Sequence, residues 1–253
     1  MSPPLSLTAR DVSTSLEMTE RLFAALDIYN DRTPRSAAMN MAIDEALLEC
    51  AEVPSIRFYR WDHPALSFGY FGRFADVANY AARRDLVRRW TGGGIVLHED
   101  DLTYSIVIPR TDVAFSESTM SIYENVHRAL RDALGSNGAE LATVAAVCDP
   151  RAQINSAVID RRYNKDACFA NPVPADVLLN GRKIAGAAQR RTRTGLLHQG
   201  SVQHVDLENG LAERFAKELS DDCGVKILGE SLIERAHELA EEKYGSVSWL
   251  RRR

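Results

Sequence analysis

The sequence predicts an α+β fold in one domain, built on a mixed or antiparallel sheet. Short runs of β-branched and aromatic residues come in groups broken by helical patterns, not as regular βαβ units. Asn180-Gly181 between two apolar runs is a hairpin signal of the type I′ kind. No internal repeat, low-complexity block or Gly/Ser linker divides the chain.

The elements follow in order. Residues 22–29 read as an opening strand, closed by a turn cluster at 30–34. Ser36 can cap a helix to about residue 50, with Met39, Ala42, Ile43, Ala46 and Leu47 at helical spacing. Ile56, Phe58 and residues 66–70 suggest two short strands around a turn at 62–64, and 75–84 a short helix. Residues 86–90 and 95–98 flank a glycine triplet, and 102–108 alternate as a strand. Ser118 caps a helix to about Leu134, stopped by Gly135. The stretch 148–169 is polar and irregular. The hairpin follows, then a strand near 196–203, then helices over 207–220 and 231–243.

With 253 residues the chain can bury a full core, and 45% hydrophobic with 26% charged residues is an ordinary composition. A net charge of -4 argues against nucleic acid as a partner. No apolar run approaches the roughly 18 residues of a membrane span, so no membrane partner is expected. Residues 1–20 lack a charged-then-apolar signal pattern and read as a disordered lead-in to a domain over 21–253, with the cytoplasm as the default location. The four cysteines have no CxxC spacing and the six histidines no HxH or HxxxH pair, so no metal site is expected.

Three features can carry chemistry. In RRWTGGGIVLH, Gly92, Gly93 and Gly94 suit a close approach of backbone to ligand, and Arg88 and Arg89 suit an anion. Alone, such a triplet more often marks a tight turn. In DVLLNGRKIAGAAQRR, a two-residue loop pairs Leu179 with Arg182 and Leu178 with Lys183, leaving Asp176 within reach of Lys183. Small residues around Lys183, among them Gly186 and Ala187, leave room for something to lie against the strand. Alone, Lys183 reads as an exposed strand lysine paired with Asp176. Cys168, on a loop near Lys165 and Lys183, can be held as a thiolate nucleophile, although most lone cysteines are small buried apolar residues. His98 and His198 are weaker pocket candidates. Arg190, Arg191 and Arg193 form a small basic cluster.

Together these motifs resemble the biotin/lipoate protein ligase family, over residues 22 to 205. The order matches: the MNMAIDEALLE helix, RR-x-TGGG-x-V-x-H, a Leu-Thr-Tyr-Ser strand, the Asp176 to Gln189 hairpin and LLHQGS. The resemblance implies a class II synthetase-like single domain with a central mixed, largely antiparallel sheet flanked by helices. It implies that the glycine loop and its neighbours (Arg89, Thr91, Gly92, Gly93, Gly94, His98) bind substrate together with Asp176, Gly186, Ala187 and His198. Lys183 would contact the acyl carbonyl.

Two chemistries compete within the family. Cys168, in a Cys-Phe dipeptide ahead of the hairpin, matches the position used by a thiol-dependent octanoyltransferase branch, which needs no cofactor. Gly94 departs from that branch, where Arg is common, and resembles the ATP- and Mg-dependent lipoate ligases. The transferase reading makes Cys168 and Lys183 catalytic, with acyl carrier protein or another acyl donor and a lipoyl-domain acceptor as partners. A catalytically idle acyl-carrier-binding module is the remaining alternative.

Overall fold

The computed structural model describes residues 21–135, 141–144, 172–204 and 210–252. The expected lead-in and the whole irregular stretch, Cys168 included, lie outside the described residues. In chain order the elements are β1 (Leu26–Arg35), α1 (Ala37–Cys50), β2 (Ser55–Trp61), β3 (Ala65–Phe68), β4 (Asp85–Arg88), β5 (Ile95–His98), β6 (Leu102–Pro109) and α2 (Thr119–Leu134). There follow β7 (Leu141–Thr143), β8 (Val177–Leu179), β9 (Arg182–Arg191), β10 (Gly195–Val202), α3 (Leu211–Leu219), β11 (Cys223–Lys226), α4 (Glu230–Leu239) and α5 (Val247–Leu250).

Eight strands form one sheet in the order β11-β1-β2-β6-β10-β9-β8-β7, and β4-β3-β5 form a small second sheet. In the large sheet β1 is parallel to β11 and β2, and every other pair is antiparallel. The mixed, largely antiparallel sheet is thus the one expected. Its central strands are buried on both faces, and their two-residue period divides the core. Ile106, Ile108 and Leu196 pack with Ile122, Val126 and Leu130 of α2 and Phe215 of α3. The alternate Val107 and Leu197 pack with Ala42, Ile43 and Leu47 of α1 and Ala236 and Leu239 of α4. Both expected helix caps form: the Ser36 hydroxyl accepts from the Met39 amide and the Ser118 hydroxyl from the Ser121 amide. Among the described residues, no helix is long and apolar enough to cross a membrane.

Several elements differ from expectation. The first strand starts at Leu26 and runs through the 30–34 cluster to Arg35, because a bulge between Asp31 and Arg35 absorbs Pro34 outside the ladder with β2. The helix expected over 75–84 is two 3₁₀ turns, Phe74–Asp76 and Ala78–Tyr80, with Val77 as their one buried anchor. One apolar contact cannot hold a longer helix against a surface. Strands β2 and β3 flank the expected turn but belong to different sheets. The last expected helix ends at Leu239 and passes into a π turn, Ala240–Tyr244. Strands β7 and β11 and helix α5 were not anticipated; each is only three or four residues long.

Helix α1 is fixed to the sheet by buried charge. Arg57 of β2 has no exposed surface. Its guanidinium donates to Asp31 Oδ2 (2.7 Å), Asp44 Oδ1 (2.9 Å) and Asn40 Oδ1 (2.7 Å). Asp44 also accepts from Ser105 (2.7 Å), Tyr59 (3.1 Å) and Gln199 (2.7 Å), which joins α1 to β2, β6 and β10. Removing one partner of such a group leaves uncompensated buried charge. Arg57→Met is therefore expected to lower unfolding free energy by about 3–5 kcal/mol in urea titrations. A loss under about 1 kcal/mol, the scale of an exposed pair, would contradict this.

Candidate active site

The hairpin sets the site. Asn180 (φ 49°) and Gly181 (φ 76°) are both left-handed, as a type I′ turn requires. The turn pairs Leu179 with Arg182 and Leu178 with Lys183, as anticipated. A register shift then sets Val177 opposite Ala185 and brings Asp176 alongside Lys183, with Nζ 2.7 Å from Asp176 Oδ2. Both side chains are buried. Asp176 also accepts from the Tyr123 hydroxyl of α2 (2.7 Å) and the Val173 amide (2.7 Å). Burial beside Asp176 holds the Tyr123 phenol far above its ordinary range, so it remains a donor. The Tyr123 oxygen accepts in turn from the Ala187 amide (3.1 Å). The lysine stem lies over the Cα of Gly186: a Cβ there would stand 2.6 Å from Lys183 Cε and 2.7 Å from Nζ. Only glycine admits that path.

Gly186 also lines a cleft, open to solvent, between the two sheets. Its floor is the strand pair carrying Gly186, Ala187 and Ala188 opposite Gln199, Gly200 and Ser201. Its walls include Trp61, Ser67, Arg89, Val96 and His98. Many of these residues are polar, yet their polar atoms are taken up by one another. Gln199 accepts from Thr91 (2.7 Å) and donates to Asp44. The Trp61 indole donates to Thr103 (2.8 Å), and Thr103 and Ser201 both donate to Asp101 (2.9 and 2.7 Å). The surface left to a ligand is largely hydrocarbon, which suits an alkyl chain.

Of the residues singled out in the sequence, Arg89, His98, Gly186 and Ala187 line this cleft. Lys183 and Asp176 abut its floor through Gly186. Thr91, Gly92, Gly93 and Gly94 are not among its lining. The loop is drawn back by Arg89, which donates to the carbonyls of Gly92 (3.1 Å) and Gly94 (2.8 Å). Gly93 (φ 85°) presses against Gly69, where a Cβ would meet the Gly93 carbonyl oxygen at 2.1 Å. Arg88 does not face an anion either: its guanidinium donates to carbonyls of Tyr70, Gly72, Trp249, Leu250 and Arg252. His198 is on the opposite face of the sheet, bonded to Gln189 (2.9 Å) among Tyr104, Tyr123 and His127. Strand alternation sends its neighbours Gln199 and Ser201, not His198, to the floor. In the basic cluster Arg190 stacks on Trp90 and Tyr70, and Arg191 donates to the carbonyls of Phe115 and Glu117.

Sequence reasoning missed Asp44, Trp61, Ser67, Asp101, Tyr123 and Gln199. Asp44 had a signal, as a carboxylate in the apolar stripe of α1, and so had Asp101, three residues after His98. The others are single residues on separate strands and helices.

The match to known proteins agrees with this geometry. Residues 36–222 match the family model of the lipoyl protein ligase A/B catalytic domain. The chain is 37% identical to an Octanoyltransferase LipM of Oceanobacillus iheyensis, over 69% of this chain and 62% of that relative. Less than two thirds of that relative is therefore covered. It is 29% identical to an Octanoyltransferase LipM of Staphylococcus epidermidis, over 85% of this chain and 94% of that one. Among solved structures it resembles a lipoate-protein ligase A bound with ATP (TM-score 0.63, 21% identity, 89% of this chain and 98% of that chain). It also resembles a bi-partite lipoate protein ligase from Thermoplasma acidophilum (TM-score 0.60, 20% identity, 90% of this chain and 96% of that chain). At these identities the structures establish the class II synthetase-like fold.

Two predictions follow from the packing. Gly186→Ala is expected to cost about 1–3 kcal/mol in urea unfolding, since it drives the Lys183 stem off Gly186. Gly92→Ala is expected to be nearly neutral, because a Cβ there meets nothing within 4 Å; equal effects would contradict this reading. His127 is wholly buried, and burial pushes its imidazole down to about 4. The unfolded chain takes up that proton near pH 6.5, so stability falls as pH drops from about 6.5 to 4, by about 3 kcal/mol. His127→Gln is expected to remove that part of the slope in urea midpoints measured across the window; an unchanged slope would contradict it.

Proposed function

Because the chain belongs to the lipoyl protein ligase A/B catalytic domain family, we propose that it is an octanoyltransferase of protein lipoylation, moving the acyl group through Cys168 to a lipoyl-domain lysine. The observation that carries this reading is the Lys183 side chain laid over Gly186, which lines a cleft whose walls are largely hydrocarbon. An acyl chain in that cleft has its carbonyl end near a cation. The similarity to octanoyltransferases supports the same reaction. The partners are an octanoyl thioester donor, such as acyl carrier protein, and a lipoyl domain. The reaction requires no ATP, and its expected location is the cytoplasm.

Four proton and bond changes close the cycle. Cys168, as thiolate, attacks the donor thioester; the new carbon–sulfur bond forms as the donor sulfur leaves. Lys183, as ammonium, stabilises the oxyanion and gives its proton to the departing sulfur. The acceptor lysine amine then attacks the acyl-cysteine. Lys183, now an amine, takes the surplus proton, and the Cys168 thiolate is released. Asp176 and Tyr123 hold the lysine stem through both steps.

The other chemistry of the family is an ATP- and Mg-dependent lipoate ligase. Gly94, which completes the glycine triplet, favours it. The two readings separate on variants. Under transfer, Cys168→Ser abolishes octanoyl transfer from carrier protein, and Lys183→Ala slows it by about 100-fold or more. Under the ligase reading, Cys168→Ser keeps near wild-type ATP-dependent lipoylation while Lys183→Ala loses it. Gel-shift assays of a lipoyl domain with each donor distinguish them, and the first outcome is expected.

A further inference from the structure

The cleft holds a second constellation that the transfer cycle does not use. The Ser67 hydroxyl is 2.7 Å from His98 Nε2, and His98 Nδ1 is 2.7 Å from Asp101 Oδ2. Ser67 and His98 line the cleft. All three residues are buried. Ser67 on β3 is a diagonal neighbour of His98 on β5, since His98 pairs with Ala65. Asp101 follows within one turn of chain.

The hydrogen-bond roles are fixed by what each partner can do. Arg89 Nη1 can only donate, and it stands 2.6 Å from the Ser67 oxygen. With His98 as the neutral Nδ1–H tautomer, the Ser67 hydroxyl donates to His98 Nε2. The Asp101 carboxylate can only accept, so His98 carries its proton on Nδ1. Asp101 Oδ2 also accepts from the hydroxyls of Ser201 (2.7 Å) and Thr103 (2.9 Å). The imidazole is also clamped by the Trp61 indole, stacked at 4.1 Å and 25°. Hydroxyl, acceptor imidazole and orienting carboxylate in this sequence are the parts of a nucleophile-activating triad, which is recognised by geometry and not by chain order. Arg89 places a positive charge beside the Ser67 oxygen, which favours loss of the hydroxyl proton to His98.

We infer that Ser67, His98 and Asp101 form a second nucleophilic centre that hydrolyses medium-chain acyl esters and thioesters entering the cleft. This rests on the reading of the cleft as an acyl site. Ser67 Oγ attacks the acyl carbon as its proton passes to His98 Nε2. The carbon–sulfur or carbon–oxygen bond of the donor breaks, and the leaving group takes that proton. Water then attacks the acyl-serine, giving its proton to His98. The carbon–Oγ bond breaks, Ser67 recovers the proton, and the carboxylic acid departs. The effect is to discharge acyl groups to water.

The test is an octyl fluorophosphonate, which phosphonylates an activated serine, followed by peptide mapping. Wild-type protein is expected to carry the adduct on Ser67. Ser67→Ala is expected to remove it, and His98→Gln to slow labelling by about 100-fold or more. Hydrolysis of p-nitrophenyl octanoate should fall in parallel. An unlabelled Ser67 in wild-type protein overturns the inference, with no appeal to how the variants fold. Octanoyl transfer measured on the same preparation reports separately on the acyl reading of the cleft, so the two failures are distinguishable.

Discussion

Asp44 is a carboxylate on α1 with no exposed surface. One oxygen accepts from Arg57 and Ser105, the other from Tyr59 and Gln199. A buried charge is tolerated only when its lone pairs are filled, and here three strands of the large sheet supply the donors. The consequences reach the active site. Gln199 is oriented by Asp44 and holds Thr91, the first residue of the glycine loop, from behind. The packing of α1, the alignment of β2, β6 and β10, and the seat of that loop all share this one group.

A second constraint shapes the ligand side. The cleft uses Gln199, Thr103, Ser201, Ser67 and His98 as wall material, residue types that would ordinarily bind water. Their polar atoms bond to one another and to Asp44 or Asp101, so what remains exposed is hydrocarbon. The Lys183 end is built in the opposite way. Lys183 pairs with Asp176, and the absence of a Cβ on Gly186 leaves room for its stem beside the cleft floor. Hydrocarbon walls beside a lysine are what the proposed acyl transfer would use.

The hairpin was legible because Asn-Gly chemistry is local: two positive φ angles fix the turn, and the turn fixes the partners of Lys183. The caps at Ser36 and Ser118 were legible for the same reason. The path of β1 through residues 30–34 was not, because turn-forming residues there are overruled by pairing to β2. Nor was β11, a four-residue strand whose one neighbour is nearly two hundred positions away in β1. The arginines before the glycine triplet look like anion ligands in the sequence, and only the folded chain brings the carbonyls of residues 249–252 to Arg88. Ser67 carried no signal, since His98 becomes its neighbour only through sheet pairing, whereas Asp101 stands three residues after His98 and its spacing was there to read. Single residues that converge from separate strands leave no spacing to read.

The account turns on whether the acyl group passes through a covalent bond to Cys168. Intact-mass spectrometry after incubation with octanoyl-carrier protein, without ATP or acceptor, tests this most directly, with the adduct located by peptide mapping. The account predicts one octanoyl group on Cys168, discharged when a lipoyl domain is added. A chain that stays unmodified under those conditions, yet lipoylates its acceptor when given free lipoate and ATP, would contradict it.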